Sequence, residues 1–296
     1  MTRGIIASVL ASTMFGAIYY VVTLMQPLTA QDIFAWRMTL TGPLVTILIV
    51  LSGDWPKVKA ALRDVVRRPG VILIYLINAA NVAGQMWVFM WAPLHGRALE
   101  ASLGYFLMPL VMVLIGRLYY REPMSRWQMA AAILAVIGVG HELWRVGTVS
   151  WLVLYIAIGF PLIFVMRRSF HTAGVGGTWI EFSLTFLLAF SLLVRSGFTH
   201  DVLTPQLGSW ILALGLISAA STLLYYGASR ILPFLLFGLL GYLEPVLLLM
   251  VALILGETIG RDEWFTYVPI WLAVIFLVIE GTRTLTRESR PLPHAD

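Results

Sequence analysis

The chain has 296 residues, no cysteine and little charge. The absence of cysteine excludes disulfides, thiol nucleophiles and thiolate metal sites. Charged residues make up only 12% of the sequence, against about 25% in a soluble domain. The local signatures of soluble enzymes are missing too: there is no H-E-x-x-H, no G-x-S-x-G and no Walker loop. No histidine and carboxylate grouping has metal-ligand spacing, so neither a metal nor a cofactor is expected. What the chain has in abundance is apolar: 59% of residues are hydrophobic and the mean hydropathy is +0.87. The apolar runs are long enough to span a bilayer as helices. They do not alternate, as the strands of a barrel of roughly ten-residue segments do. An all-α integral membrane protein is expected.

The run from Gly4 to Val22 follows Arg3 in the manner of a signal peptide, but it is too long and no A-x-A site follows. It reads as the first of ten spans, at 4–22, 32–52, 70–91, 98–119, 127–145, 149–167, 177–196, 209–228, 235–256 and 264–283. An even number puts both termini on one side. With that side cytoplasmic, fifteen of the 20 basic residues lie inside. Only Arg97, Arg145, Arg195 and Arg261 face outward, and Arg37 lies within span two. This bias sets the orientation and accounts for the net charge of +5 without nucleic acid. The segment Gly53–Gly70 carries dense positive charge beside an apolar stripe of Trp55, Val58, Leu62, Val65 and Val66, which suits a short interfacial helix on anionic lipid. The tail 285–296 has no periodicity.

One pattern occurs twice. Leu103-Gly104-Tyr105 runs through Pro109 to Glu122 and Trp127, and Leu240-Gly241-Tyr242 runs through Pro245 to Glu257 and Trp264. A duplicated unit with five spans, an odd number, must sit inverted relative to its twin. The expected units are residues 1–146 and 147–284, two inverted five-helix repeats. Spans three and eight agree with this: Asn78, Asn81 and Gln85 form a polar stripe, and Ser218, Ser221 and Tyr225 form another, each 140 positions on. Such stripes serve either as glue between helices or as cavity lining.

Charges within a membrane are costly and mark functional candidates. Glu244 sits near the middle of span nine, beside Pro245. Pro245 and Pro109 are each expected to break a helix, freeing the carbonyls of Gly241 and Tyr105. Broken helices with a midplane acid suit ion coupling, and the same features suit a structural glutamate bonded to a neighbouring helix. Nearer the mouths stand two acid–base pairs, Arg37 with Glu100 outside and Glu181 with Arg230 inside, either packed ion pairs or gates. Glu142, beside His141, is expected to reach water from a helix end.

The stretch Leu99-Glu100-Ala101-Ser102-Leu103-Gly104-Tyr105-Phe106 with Pro109-Leu110 resembles the hallmark of RarD-type permeases, EamA-domain members of the drug/metabolite transporter superfamily. Trp179-Ile180-Glu181 and Gly256-Glu257 with Asp262, Trp264 and Ile270-Trp271 resemble further family motifs. Two positions depart from the pattern: Gly96-Arg97 stands where Gly-His is usual, and Glu244 where a small residue is common. The resemblance implies ten helices in two inverted EamA-like repeats around a central cavity, and export or exchange of small metabolites. The resulting expectation is a secondary transporter of the bacterial inner membrane that works by alternating access, not an enzyme. Asn78, Asn81, Gln85, Tyr105, Ser221, Tyr225 and Glu244 are its expected cavity, protons its coupling ion, and membrane lipid and a small-molecule substrate its partners, as monomer or homodimer. An uncoupled facilitator, a membrane enzyme acting on a lipid-linked substrate and a sensor without flux are the alternatives.

Overall fold

The computed structural model describes residues 1–94, 97–147, 150–197, 203–254 and 260–288. Helix accounts for 85% of the described residues, with no strand among them. The helices are α1 (Thr2–Thr23), α2 (Ala30–Leu51), α3 (Trp55–Arg67), α4 (Val71–Leu94), α5 (Ala98–Leu118), α6 (Arg126–Val146), α7 (Trp151–Ser169), α8 (Val175–Arg195), α9 (Pro205–Ile231), α10 (Phe234–Leu240), α11 (Leu243–Ile254) and α12 (Trp264–Glu288). Six of them, α1, α2, α4, α7, α8 and α9, are long and apolar enough to cross a membrane, and Gly104–Leu118 and Phe234–Leu247 are shorter apolar segments. Large apolar side chains such as Leu51, Ile133, Val136, Leu187, Leu212 and Leu216 are exposed around the outside, as suits a surface that lies in lipid rather than water.

Helix starts are written into the sequence. Thr29 caps α2 and Ser125 caps α6, each in a reciprocal box with Asp32 or Gln128 three residues on. The amphipathic segment after Gly53 is helical, as expected: Val58 of α3 is buried, while Leu62 and Val66 are exposed on its apolar side. The expectation that Glu142 reaches water fails. It is buried, held by Arg145 at 2.5 and 3.2 Å and by the Thr266 hydroxyl at 2.8 Å, and Arg145 also contacts Glu263 at 3.4 Å. A helix-end carboxylate here finds a protein cation before it finds water. Glu100, Glu257 and the tail beyond residue 288 lie outside the residues whose side chains are described.

The two proline stretches behave differently. The break before Pro245 forms: α10 stops at Leu240, and tight turns carry Gly241 N–H to Gly238 O at 3.0 Å and Tyr242 N–H to Leu239 O at 3.1 Å. Pro245 then lies in the first turn of α11, where a missing N–H is harmless. The Gly241 carbonyl is not free, since the Glu244 backbone N–H donates to it at 3.3 Å. The break expected at Pro109 does not form, and α5 runs through it unbroken. A proline ring presses on the carbonyl four residues back. For Pro245 that residue is Gly241, which yields easily; for Pro109 it is Tyr105.

α5 and α10 cross at close range. A Cβ on Gly116 would sit 2.8 Å from Leu235, and one on Gly238 would meet Met112 at 2.5 Å, so glycine is required on both sides of the crossing. The seven-residue α10 is anchored by Glu122, which follows α5. The two Glu122 carboxylate oxygens accept the Phe234 and Leu235 backbone N–H groups at 2.8 and 2.7 Å. Arg168 of α7 donates to the same carboxylate at 3.0 Å. One side chain thus satisfies orphan donors of α10 and ties three segments together. Glu122→Ala is expected to lower stability by about 1–3 kcal/mol, the cost of stranded donors, with Glu122→Gln in between. Thermal unfolding in detergent is the measurement; an unchanged midpoint in the alanine variant would remove this role.

Candidate functional site: a central cavity with one arginine and one glutamate

Between α1, α2, α4, α5, α7, α8, α9 and α11 lies a cavity whose polar lining is Arg37, Tyr105, Thr222, Tyr225, Tyr226 and Glu244. Its walls are otherwise apolar, including Phe15, Met86, Met108, Phe160 and Phe182. It measures about 50 Å³, on a scale where one water needs about 10–15 Å³, so it holds a few waters and no more.

Each charge is held by its own element. Arg37 on α2 is buried, and its Nε donates to Ser218 Oγ of α9 at 2.9 Å. Glu244 stands in the first turn of α11 because the chain breaks just before it. That position sets a carboxylate at the positive end of a helix dipole. Glu244 interacts electrostatically with Arg37 and with the phenols of Tyr105 and Tyr225. No ion pair within 4 Å joins Arg37 and Glu244 among the described contacts. They face one small space as a base and an acid not joined by an ion pair.

A second polar centre is closed. Glu181 of α8 and Arg167 of α7 are both almost fully buried, with Arg167 Nε 3.5 Å from Glu181 Oε2. Asn78 of α4 donates to Glu181 Oε1 at 3.0 Å, and Arg167 also donates to Thr178. The Arg167 guanidinium stacks 4.1 Å above the Tyr226 ring, so Tyr226 has the cavity on one side and this ion pair on the other. The expected partner of Glu181 was Arg230. Arg230 instead is exposed at the end of α9, and the arginine that ends span six reaches inward in its place.

Residues 2–140 match the model of the EamA-like transporter family. The chain is 37% identical over 291 residues to the chloramphenicol-sensitive protein RarD of Pseudomonas aeruginosa, covering 97% of both chains. It is a member of the RarD-type EamA-like transporter family. It is also 32% identical to an uncharacterized transporter of Haemophilus influenzae over 97% of both chains. Identity to the protein RarD of Salmonella typhimurium is 29%, covering 93% of this chain and 92% of that one. A crystal structure superposes with a TM-score of 0.67 at 16% identity, covering 94% of this chain and 98% of the other. The chain is therefore a multi-pass membrane permease of the EamA family.

In this RarD-type permease, the expected cavity residues divide. Tyr105, Tyr225 and Glu244 line the cavity, joined by Arg37. Asn78, Asn81, Gln85 and Ser221 do not. Asn81 donates to Gly159 O and Gln85 to Tyr155 O, both at 2.8 Å, so two residues of the stripe on α4 bind the backbone of α7 while Asn78 binds Glu181 of α8. Ser221 donates to its own helix at Ser218 O, 3.1 Å away. Glycines allow the contact between α4 and α7: Gly84 faces Tyr155 and Gly159 faces Asn81 and Gln85, so the two helices approach closely enough for amides to reach carbonyls. Thr222 and Tyr226 were missed because each sits one position from a residue of the stripe on α9.

The buried pair makes a stability prediction. Arg167→Leu strands the Glu181 carboxylate and is expected to cost about 3–5 kcal/mol. Arg167→Leu with Glu181→Leu removes both charges and is expected to recover most of that loss. Melting temperatures of the two variants in detergent decide it; a double variant no more stable than the single one would contradict the pairing.

Proposed function

We propose that the chain is a secondary transporter that exports small metabolites or drug-like molecules by alternating access, with proton coupling at Glu244. The observation that carries this reading is the small central cavity holding Arg37 and Glu244 as facing, unjoined charges. Glu244 is the only acid among the described residues that line it. A carboxylate there can hold either a proton or the cationic group of a solute, and that choice is how exchange becomes coupled. A relative named for chloramphenicol sensitivity fits a permease whose solutes include drug-like molecules.

The architecture in this reading is ten spans in two inverted repeats, residues 1–146 and 147–284, in the bacterial inner membrane with cytoplasmic termini. Helix packing supports it. Numbering α1, α2, α4, α5 and α6 as the first five spans makes α7, α8, α9, α10–α11 and α12 the second five. The packing of α1 on α9 then mirrors that of α4 on α7, and α2 on α9 mirrors α4 on α8. Likewise α5 on α7 mirrors α1 on α11, while α2–α8, α5–α10 and α6–α12 map onto themselves. The charge bias of the loops supports the orientation.

In proteoliposomes, Glu244→Gln is expected to abolish accumulation driven by a pH gradient and to retain solute exchange. Counterflow without a gradient reads the second property. Undiminished uphill transport by the variant would end the assignment of Glu244, and the absence of any counterflow by the wild type across a metabolite library would end the transporter reading.

A further inference from the structure

A second cavity lies beyond the central one. It is larger, about 380 Å³ on the same scale, and it is lined by Phe164, Arg167 and Arg168 of α7, by His171, Ala173 and Gly174 between α7 and α8, and by Ser229, Arg230 and Phe234. Three of these residues are arginines, one is a histidine and none is an acid. Arg167 is offset by Glu181 and Arg168 by Glu122. Arg230 is exposed and has no ion pair among the described residues, so the cavity carries surplus positive charge. Arg167 Nε is turned to Glu181 Oε2 at 3.5 Å, so the charge free of a partner in this wall is that of Arg230. The 21-residue α8 begins on this cavity at Gly174, with no side-chain cap and no acid in its first turn, so its positive dipole end adds to the field.

The wall shared with the central cavity is aromatic. Phe164 lines the basic cavity and packs against Tyr225 and Tyr226, with ring centroids 5.7 Å away in both cases. Those tyrosines line the central cavity. The basic space is thus a vestibule one ring layer from the candidate site.

We propose that this vestibule binds an oxyanion, a phosphate or carboxylate group carried by a solute bound for the central cavity or by an anionic lipid. The solute source rests on the permease reading; the site itself does not. Charge-assisted bonds from Arg230 and the Arg168 edge hold the group, with the Arg167 charge, offset by Glu181, in the wall and His171 as a further polar contact. The cavity is wide enough for the oxyanion and the atoms attached to it.

The test uses the full-length protein in nanodiscs of zwitterionic phosphatidylcholine. Inorganic pyrophosphate is titrated at constant ionic strength against chloride while the melting temperature is followed, since a ligand of the native state raises it. In parallel, native mass spectrometry compares retention of phosphatidylglycerol and phosphatidylcholine. The expected result is saturable stabilisation by pyrophosphate, or preferential retention of phosphatidylglycerol. Either signal should weaken about tenfold or more in the Arg230→Gln, His171→Asn double variant, as loss of charge-assisted contacts predicts. Asparagine is chosen because His171 has φ +57°, a conformation it tolerates. Ser229→Asp, which supplies an internal anion, should abolish both signals and covers the case in which the double variant fails to fold. Pyrophosphate stabilisation alone identifies a solute site, phosphatidylglycerol retention alone a lipid site, and both together a site shared by the two. Absence of both signals, or signals indifferent to Arg230→Gln and Ser229→Asp, overturns the proposal. Neither readout requires flux, so this failure is distinct from failure of the transporter reading.

Discussion

Hydrocarbon offers no hydrogen-bond partner, and the interior of this chain is arranged by that fact. A buried polar side chain in a span is stabilised by finding protein. Asn81 and Gln85 find the backbone of α7, Asn78 finds Glu181, and Arg37 finds Ser218. A lone charged residue at mid-bilayer costs about 2.5–3.5 kcal/mol even on insertion scales. Glu181 and Arg167 avoid much of that by meeting each other. Glu122 does so by taking two backbone N–H groups and one arginine. After these needs are met, the central cavity retains one charge of each sign, and this residue of unfinished pairing is what separates the candidate site from the scaffold.

The fold was legible because hydropathy and helix signals act locally. The long apolar runs became helices, span nine as the two pieces α10 and α11, Thr29 and Ser125 start helices where their capping boxes predict, and the amphipathic segment after Gly53 became α3. Glu244, placed within an apolar run by counting residues, does line the central cavity. What could not be read was which helix each polar face would meet. The spacing of Asn78, Asn81 and Gln85 defines a face but not its neighbour, and lining and glue have the same period. The pairing of Glu181 failed for a related reason. Arg167 and Arg230 end different helices at one level, and the length of an arginine side chain lets either reach inward. Only packing decides between them.

The difference between Pro109 and Pro245 carries a functional consequence. The two stretches look like copies, yet the glycine lies four residues before one proline and five before the other. That single residue decides whether the backbone under the proline ring can give way. Where it does, the chain ends α10, turns, and restarts with Glu244 in the first turn of α11. An unbroken helix would bury the same side chain among ladder-bonded turns without a helix end to favour its charge. The asymmetry between the two stretches is therefore what makes one half of the molecule supply the acid, while α2 supplies the base.

Tyr226 joins the two polar centres mechanically. Its ring lines the central cavity, lies under the Arg167 guanidinium, and packs edge-on against Phe182 at 5.8 Å and beside Phe164. A route from the central cavity to the basic vestibule must displace Tyr226, Tyr225 or Phe164. Moving Tyr226 takes the aromatic face from Arg167, worth about 2 kcal/mol when the cation is desolvated. The Arg167–Glu181 pair must then hold without that support or rearrange with it. Opening the layer at Tyr226 and disturbing the buried pair are consequently one event, whereas opening it at Tyr225 or Phe164 leaves the Arg167 stack in place.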